Sequence, residues 1–203
     1  MEGENSMKNR VITISREFGS GGRTIGRQTA ERLGIPCYDS ELIDKIAEKS
    51  GFAKEYIAEK GEYSAKGGWF ASAFSDRTFN GTSNQDYLWI VQRDIILELA
   101  QKESCVIVGR CADYLLKDVA DCLTVFVHAD IQKRAERIVK RYGETSQTPE
   151  KRLKDKDKRR STYYRFYTDR DWGAVQNYHL AMDSGVLGIE KCVEIITGAA
   201  KRS

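Results

Sequence analysis

VITIS-REFGSGG-RTIGRQTAERLG, residues 11–34, decides how the rest of the chain is read. Val11 to Ser15 is β-branched, small and mostly apolar, the composition of a buried strand. Gly19, Gly21 and Gly22 then crowd a short loop. From Arg23 to Leu33 nothing breaks a helix, and Gly26, Ala30 and Leu33 share one helical face. Strand, glycine loop and helix in this order make a cradle for an anion. Glycine lets backbone N–H groups turn inward, and the helix start adds the positive end of its dipole.

The loop approximates the phosphate-binding pattern G-x-x-x-x-G-K-[ST]. With Gly22 as the last glycine, Arg23 takes the lysine position, Thr24 the hydroxyl position, and Glu17 stands where the first glycine would be. Arginine can grip phosphate bidentately where lysine acts as a point charge, and Thr24 can offer its hydroxyl to Mg²⁺. A second register makes Gly21 the last glycine, with Gly22 and Arg23 in the end positions. The first keeps both chemistries and is preferred. A glycine-rich turn without a ligand is the plain alternative.

Outward from this unit, strands and helices alternate. Gly34 and Pro36 stop the first helix, and a short strand ends at Tyr38. Asp39 and Ser40 stand where that strand turns into a helix with Leu42, Ile43, Ile46 and Ala47 inward. Asp39 is either a helix cap or a residue facing substrate at a strand end. Residues 53–60 read as another helix, and about 52–86 as a mobile flap carrying Gly67-Gly68-Trp69-Phe70. Thr82-x-x-Gln85 resembles a capping box before a helix with Leu88, Val91, Ile95 and Leu99 inward. SCVIVG, residues 104–109, is a buried strand that delivers Arg110 to the sheet edge, a good place to meet an anion. CLTVFV, residues 122–127, has no polar face, as in a parallel sheet covered on both sides. Asp130 caps the next helix. Residues 180–183 form a last short strand, and Ile189, Cys192, Val193 and Ile196 mark a closing helix. The pattern is an α/β fold of three layers with a central parallel sheet flanked by helices.

At 203 residues the chain suits one domain, residues 10–203, behind a polar tail of nine residues. Hydrophobic content of 40%, charged content of 31% and a net charge of +3 describe an ordinary globular composition. Cys37, Cys105, Cys111, Cys122 and Cys192 are scattered without a C-x-x-C pair, which suits reduced thiols and a cytoplasmic protein. With His128 and His179 as the two histidines, a zinc site is disfavoured. No apolar run approaches the ~18 residues of a membrane span, and no signal peptide is visible.

Thr148-Pro149 opens a helix, with proline at its first position. Between Lys151 and Arg165 it holds eight Lys/Arg, two Asp and a single aliphatic residue, Leu153. So polar a segment is expected outside the core. It is a solvated helix or a cationic lid, about residues 144–168, closing on phosphate. A nucleic-acid patch fits less well, because the charge is confined to one segment.

SREFGSGGRTIGRQTAERLG, YDSELID, VIVGR and LTVFVHAD together resemble the cytidylate kinase-like family of P-loop nucleoside monophosphate kinases, over about Val11 to Ala199. The resemblance implies a P-loop fold and transfer of the γ-phosphoryl of ATP, as its Mg²⁺ complex, to a small acceptor such as a nucleoside monophosphate or another phosphorylated metabolite. Gly19, Ser20, Gly21, Gly22, Arg23 and Thr24 would hold the ATP phosphates, with Thr24 also on Mg²⁺. Asp39, Ser40 and Arg110 would face the acceptor. The basic run matches the family's lid. Asp157 and Arg160 fall near its matching positions, and Arg159 and Arg165 are further candidates to close over the transferring group. Cys111 stands where bacterial cytidylate kinases have aspartate, in Gly-Arg-Asp. Such a transfer needs alignment and charge neutralisation. A hydroxyl acceptor would make Asp39 the base. A nucleotide sensor without turnover is the rival of another class.

Overall fold

The computed structural model describes residues 9–51 and 84–201. In chain order these form β1 (Arg10–Arg16), α1 (Gly22–Leu33), β2 (Cys37–Tyr38), α2 (Ser40–Ser50), α3 (Asn84–Lys102), β3 (Cys105–Val108), α4 (Ala112–Leu116), β4 (Asp121–His128), α5 (Ile131–Tyr142), α6 (Pro149–Thr168), a 3₁₀ turn (Val175–Asn177), β5 (Leu180–Asp183) and α7 (Ser184–Ala200). The helix expected over 53–60 and most of the proposed flap, with Thr82, lie outside the described residues. Residues 84–86 begin α3.

All five strands are parallel, in the order β2-β3-β1-β4-β5. β1 is central, and Val11 to Arg16 are all buried. Strand alternation sorts the core into two faces. Val11, Cys105 and Ile107 pack under Leu42 and Ile46 of α2, Ile95, Ile96 and Leu99 of α3, and Leu116 of α4. Ile12, Ile14, Val106, Val108, Val125 and Val127 pack under Ile25 and Ala30 of α1 and Cys192, Val193 and Ile196 of α7. Each fully buried Ile or Leu contributes about 1.5–3 kcal/mol, so these faces hold the three layers together. With β3 on one side of β1 and β4 on the other, the chain reverses its winding direction at β1. That makes the carboxyl end of β1 the crevice where doubly wound sheets bind ligands.

The helix ends follow local chemistry. Asp130 accepts from Gln132 N–H at 2.8 Å and caps α5. Thr148 accepts from Lys151 N–H at 3.4 Å before Pro149 opens α6. One expectation is overturned. The basic helix α6 is partly core: Leu153, Arg160, Tyr163, Tyr164 and Thr168 are buried on it. Leu153 packs with Ala135 and Ile138 of α5 and with Phe18. Tyr163 and Tyr164 pack with Cys111, Trp89, Tyr167 and Trp172. Residues 153, 160 and 164 recur at about two and three helical turns, so one narrow face carries the packing while the remainder carries the charge.

Candidate functional site

The loop begins where β1 leaves the sheet. Glu17 N–H still donates to the Val127 carbonyl at 3.0 Å. Gly19 (φ 79°) and Gly21 (φ 85°) then adopt left-handed backbone, which only glycine takes without strain. Close packing adds to the requirement. A Cβ on Gly21 would overlap Ile189 Cδ1, and one on Gly22 would lie 2.5 Å from Arg16 Cβ. The first bond at the start of α1 is donated by Ile25 N–H to the Gly21 carbonyl at 3.0 Å. The N–H groups of Gly22, Arg23 and Thr24 thus precede the helical ladder, at the positive end of the α1 dipole.

Side chains from three helices hold this loop. Asp157 of α6 accepts from Phe18 N–H at 2.7 Å and from Arg134 Nη1 at 2.6 Å. Arg134 of α5 also donates to the Phe18 carbonyl at 3.2 Å and stands 3.3 Å from the Glu17 carboxylate. Arg137 donates to the Gly19 carbonyl at 2.8 Å, and Arg160 to the Arg16 carbonyl at 2.9 Å. Ser184, at the start of α7, donates to the Ser20 carbonyl. Glu17 accepts from Ala129 N–H at 3.1 Å. Burial raises the Glu17 carboxyl above the usual range, against the lowering pull of Arg134 and of that N–H.

The loop, the end of α5 and the wall of α6 enclose a cavity of about 410 Å³, within the range of small-molecule sites. Gly19, Gly21, Gly22, Arg23 and Thr24 line its floor. Its walls add Arg16, Arg137 and Arg141 on one side and Arg152, Lys156 and Arg160 on the other. Seven cationic side chains therefore meet one carboxylate, Glu17. Phe18 and Tyr142 stack across it with centroids 6.0 Å apart. By charge the cavity suits a polyanion, and it takes the cations of α6 into a concave cleft, whereas a duplex needs an open face.

Arg23 lines the cavity, and its Nε lies 2.7 Å from the Asp39 carboxylate. Asp39 occupies the cap position of α2 but makes no side-chain cap bond. Its buried carboxylate is spent on Arg23, which joins the phosphate loop to the end of β2. Ser40 follows as the first residue of α2. Arg110, at the end of β3, is buried in left-handed backbone (φ 60°). Its Nη1 donates to Gln92 Oε1 at 3.3 Å, and Gln92 Nε2 donates back to the Arg110 carbonyl at 3.2 Å. Gln92 also meets the Tyr163 hydroxyl. Cys111 opens α4 beside it and is buried against the tyrosines of α6. Arg159 follows Lys156 on α6 and lies outside the cavity wall, near enough to lower the Lys156 ammonium. Arg165 faces solvent and pairs with Asp171 at 2.7 Å, apart from the cavity.

Six cationic residues of this site were not singled out in the sequence: Arg16, Arg152, Lys156, Arg134, Arg137 and Arg141. The last three recur at spacings of three and four on α5, one helical face, and that spacing was the available signal. Among the described residues no group of three or more His, Cys, Asp or Glu comes together to cage a metal. The Thr24 hydroxyl, on the cavity wall, meets Arg141 Nη1 at a long 3.4 Å and stays available. That suits Mg²⁺, which arrives on phosphate oxygens, keeps its waters and needs few protein ligands. No helix among the described residues is long and apolar enough to cross a membrane.

A parallel sheet in this order, with the loop at its central strand, defines a P-loop kinase fold. The chain belongs to the cytidylate kinase-like family, whose model matches residues 11–186. It is 31% identical over 195 residues to a cytidylate kinase of Archaeoglobus fulgidus, covering 94% of each chain. Among solved structures it is similar to an uncharacterised protein from Eubacterium ventriosum, with TM-score 0.72, 26% identity, and coverage of 95% of this chain and 98% of that one. It shares its fold with shikimate kinase from Acinetobacter baumannii, solved in complex with shikimate, at TM-score 0.52, 16% identity and coverage of 95% and 93%.

Proposed function

We propose that the protein transfers the γ-phosphoryl group of ATP to a small anionic acceptor, with a nucleoside monophosphate as the first candidate. The observation that carries this is the cavity itself: seven cations to one carboxylate, gathered over the glycine loop and the start of α1. So many cations around one cavity are more than folding needs, and a polyphosphate offers them a shared counter-charge. The backbone of Gly19, Ser20, Gly21, Gly22, Arg23 and Thr24 binds the β- and γ-phosphates. Thr24 offers its hydroxyl to the Mg²⁺ that accompanies them, and the ion neutralises phosphate charge there. Arg160 and Arg159 close over the transferring group and exclude water, which suppresses ATP hydrolysis. Arg23, held by Asp39, sits between donor and acceptor. Asp39, Ser40 and Arg110 form the acceptor side. Arg165, paired with Asp171, takes no part.

The relative from Archaeoglobus fulgidus makes CMP the leading acceptor, and Cys111, in place of an aspartate, marks the position where this chain's base preference would differ. One observation favours a sensor without turnover. Arg23, the residue in the lysine position, is already committed to a carboxylate. A coupled assay of ADP release separates the two, with Mg-ATP and a panel of CMP, dCMP, UMP, AMP, GMP and hydroxyl or phosphorylated metabolites. Turnover with one acceptor, lost in Arg23→Ala and in Arg110→Ala, establishes the kinase. ATP binding without acceptor-dependent turnover establishes the sensor.

A further inference from the structure

The loop lacks the lysine that its pattern provides for the terminal phosphates. Arg23 fills that sequence position, but its guanidinium lies against Asp39 at 2.7 Å. Three other cations of the cavity are tethered as well. Arg160, Arg137 and Arg152 donate to the carbonyls of Arg16, Gly19 and Gly143 at 2.9, 2.8 and 2.8 Å.

Lys156 is different. It projects from α6 into the same cavity, where its ammonium lies 5.3 Å from the centroid of the Phe18 ring. Among the described residues it makes no hydrogen bond and no ion pair. Asp157, next to it in sequence, is engaged by Phe18 N–H and Arg134. An ammonium placed over the loop on a flexible stem, with three unused donors, is the chemical equivalent of the missing lysine delivered from another element.

We propose that Lys156 is the phosphate-binding lysine of this protein, reaching the β- and γ-phosphates of the bound nucleotide from the lid helix in place of the loop position that Arg23 occupies. The proposal rests on the kinase reading above. The charge environment agrees with it. Burial lowers the Lys156 ammonium, and Arg159, Arg160, Arg152 and Arg23 lower it further, so an anion is the partner this position lacks among its neighbours. A bound polyphosphate acts in the opposite direction and favours the ammonium.

The test is calorimetric titration of the full chain with ATP, ADP, AMP and inorganic tripolyphosphate, for wild type, Lys156→Met and Lys158→Met. Lys158, exposed two residues along the same helix, controls for loss of one positive charge. Lys156→Met is expected to weaken ATP and tripolyphosphate at least tenfold and AMP less than twofold, with Lys158→Met within twofold of wild type for all four. A Lys156→Met protein that binds ATP like wild type, or that loses AMP and ATP equally, overturns the assignment while the kinase reading stands. Wild type that binds no ATP removes that reading, and the assignment with it. A second measurement needs no variant. An amine-reactive reagent read by mass spectrometry should label Lys156 in the free protein and be blocked by ATP but not by AMP, and equal labelling under both overturns the assignment.

Discussion

The two arginine-bearing ends of neighbouring strands solve opposite problems. At the end of β1, Arg16, Arg23, Arg137, Arg160 and Lys156 surround an open cavity, and two of them, Arg137 and Arg160, are tethered to backbone carbonyls. A carbonyl positions a guanidinium without cancelling its charge, so the positive field remains for a ligand. At the end of β3, Arg110 is buried and exchanges hydrogen bonds with Gln92, which also meets Tyr163. There the polar groups pair with one another inside an aromatic wall, where Trp89 and Tyr167 stack at 4.1 Å. The difference teaches that a charge-rich site and a rigid site are built with different partners. The first holds charge ready, and the second fixes geometry.

The largest expected effect lies under the loop. Leu153 is fully buried against Ile138 and Phe18. Leu153→Ala should cost about 3 kcal/mol, roughly 6–12 °C in melting temperature for a domain of this size. It should also weaken ATP binding, because Phe18 and the loop lose their seat. A melting temperature within 2 °C of wild type would show that α6 is a detachable lid, not a part of the core. A smaller effect is expected at the second region. Gln92→Leu removes the partner of Arg110 Nη1 and of Tyr163, at about 1–3 kcal/mol. It should raise the KM for the acceptor several-fold and leave the KM for ATP within twofold. Equal changes in both would erase the distinction between a donor cavity and an acceptor wall.

The smallest effect concerns Glu17. Burial raises its carboxyl in the folded state, so the folded protein holds that proton more tightly than the unfolded chain. Its contribution is therefore most favourable below the ordinary carboxylate range and falls as pH rises through the folded value. Glu17→Gln should flatten this slope above the ordinary carboxylate range while changing stability by under about 1 kcal/mol at neutrality. Chemical denaturation at several pH values reads it. A uniform loss of stability at every pH would mean that the contact with Arg134 outweighs burial.

Much of the fold was legible because its strands are buried on both faces. VITIS, CVIV and CLTVFV are continuous apolar runs with no polar side, which marks a parallel sheet directly. The glycine loop was legible because Gly19 and Gly21 need left-handed backbone. The footing of α6 was not. Leu153, Tyr163 and Tyr164 are too sparse for a hydrophobic stripe, and their partners, Ile138 and Cys111, come from other elements. Nor was the joining of Arg23 to Asp39, because the register between the end of β2 and the start of α1 is set by the sheet order. Arg165, in turn, shared the composition of the basic run but faces away from the cavity.

The most direct test of the account is a crystal structure with Mg²⁺ and a non-hydrolysable ATP analogue. The β- and γ-phosphate oxygens should lie about 2.7–3.2 Å from the N–H groups of Gly22, Arg23 and Thr24, with Lys156 drawn onto the terminal phosphates. An analogue bound elsewhere, or a triphosphate turned out of the cavity toward solvent, would contradict it.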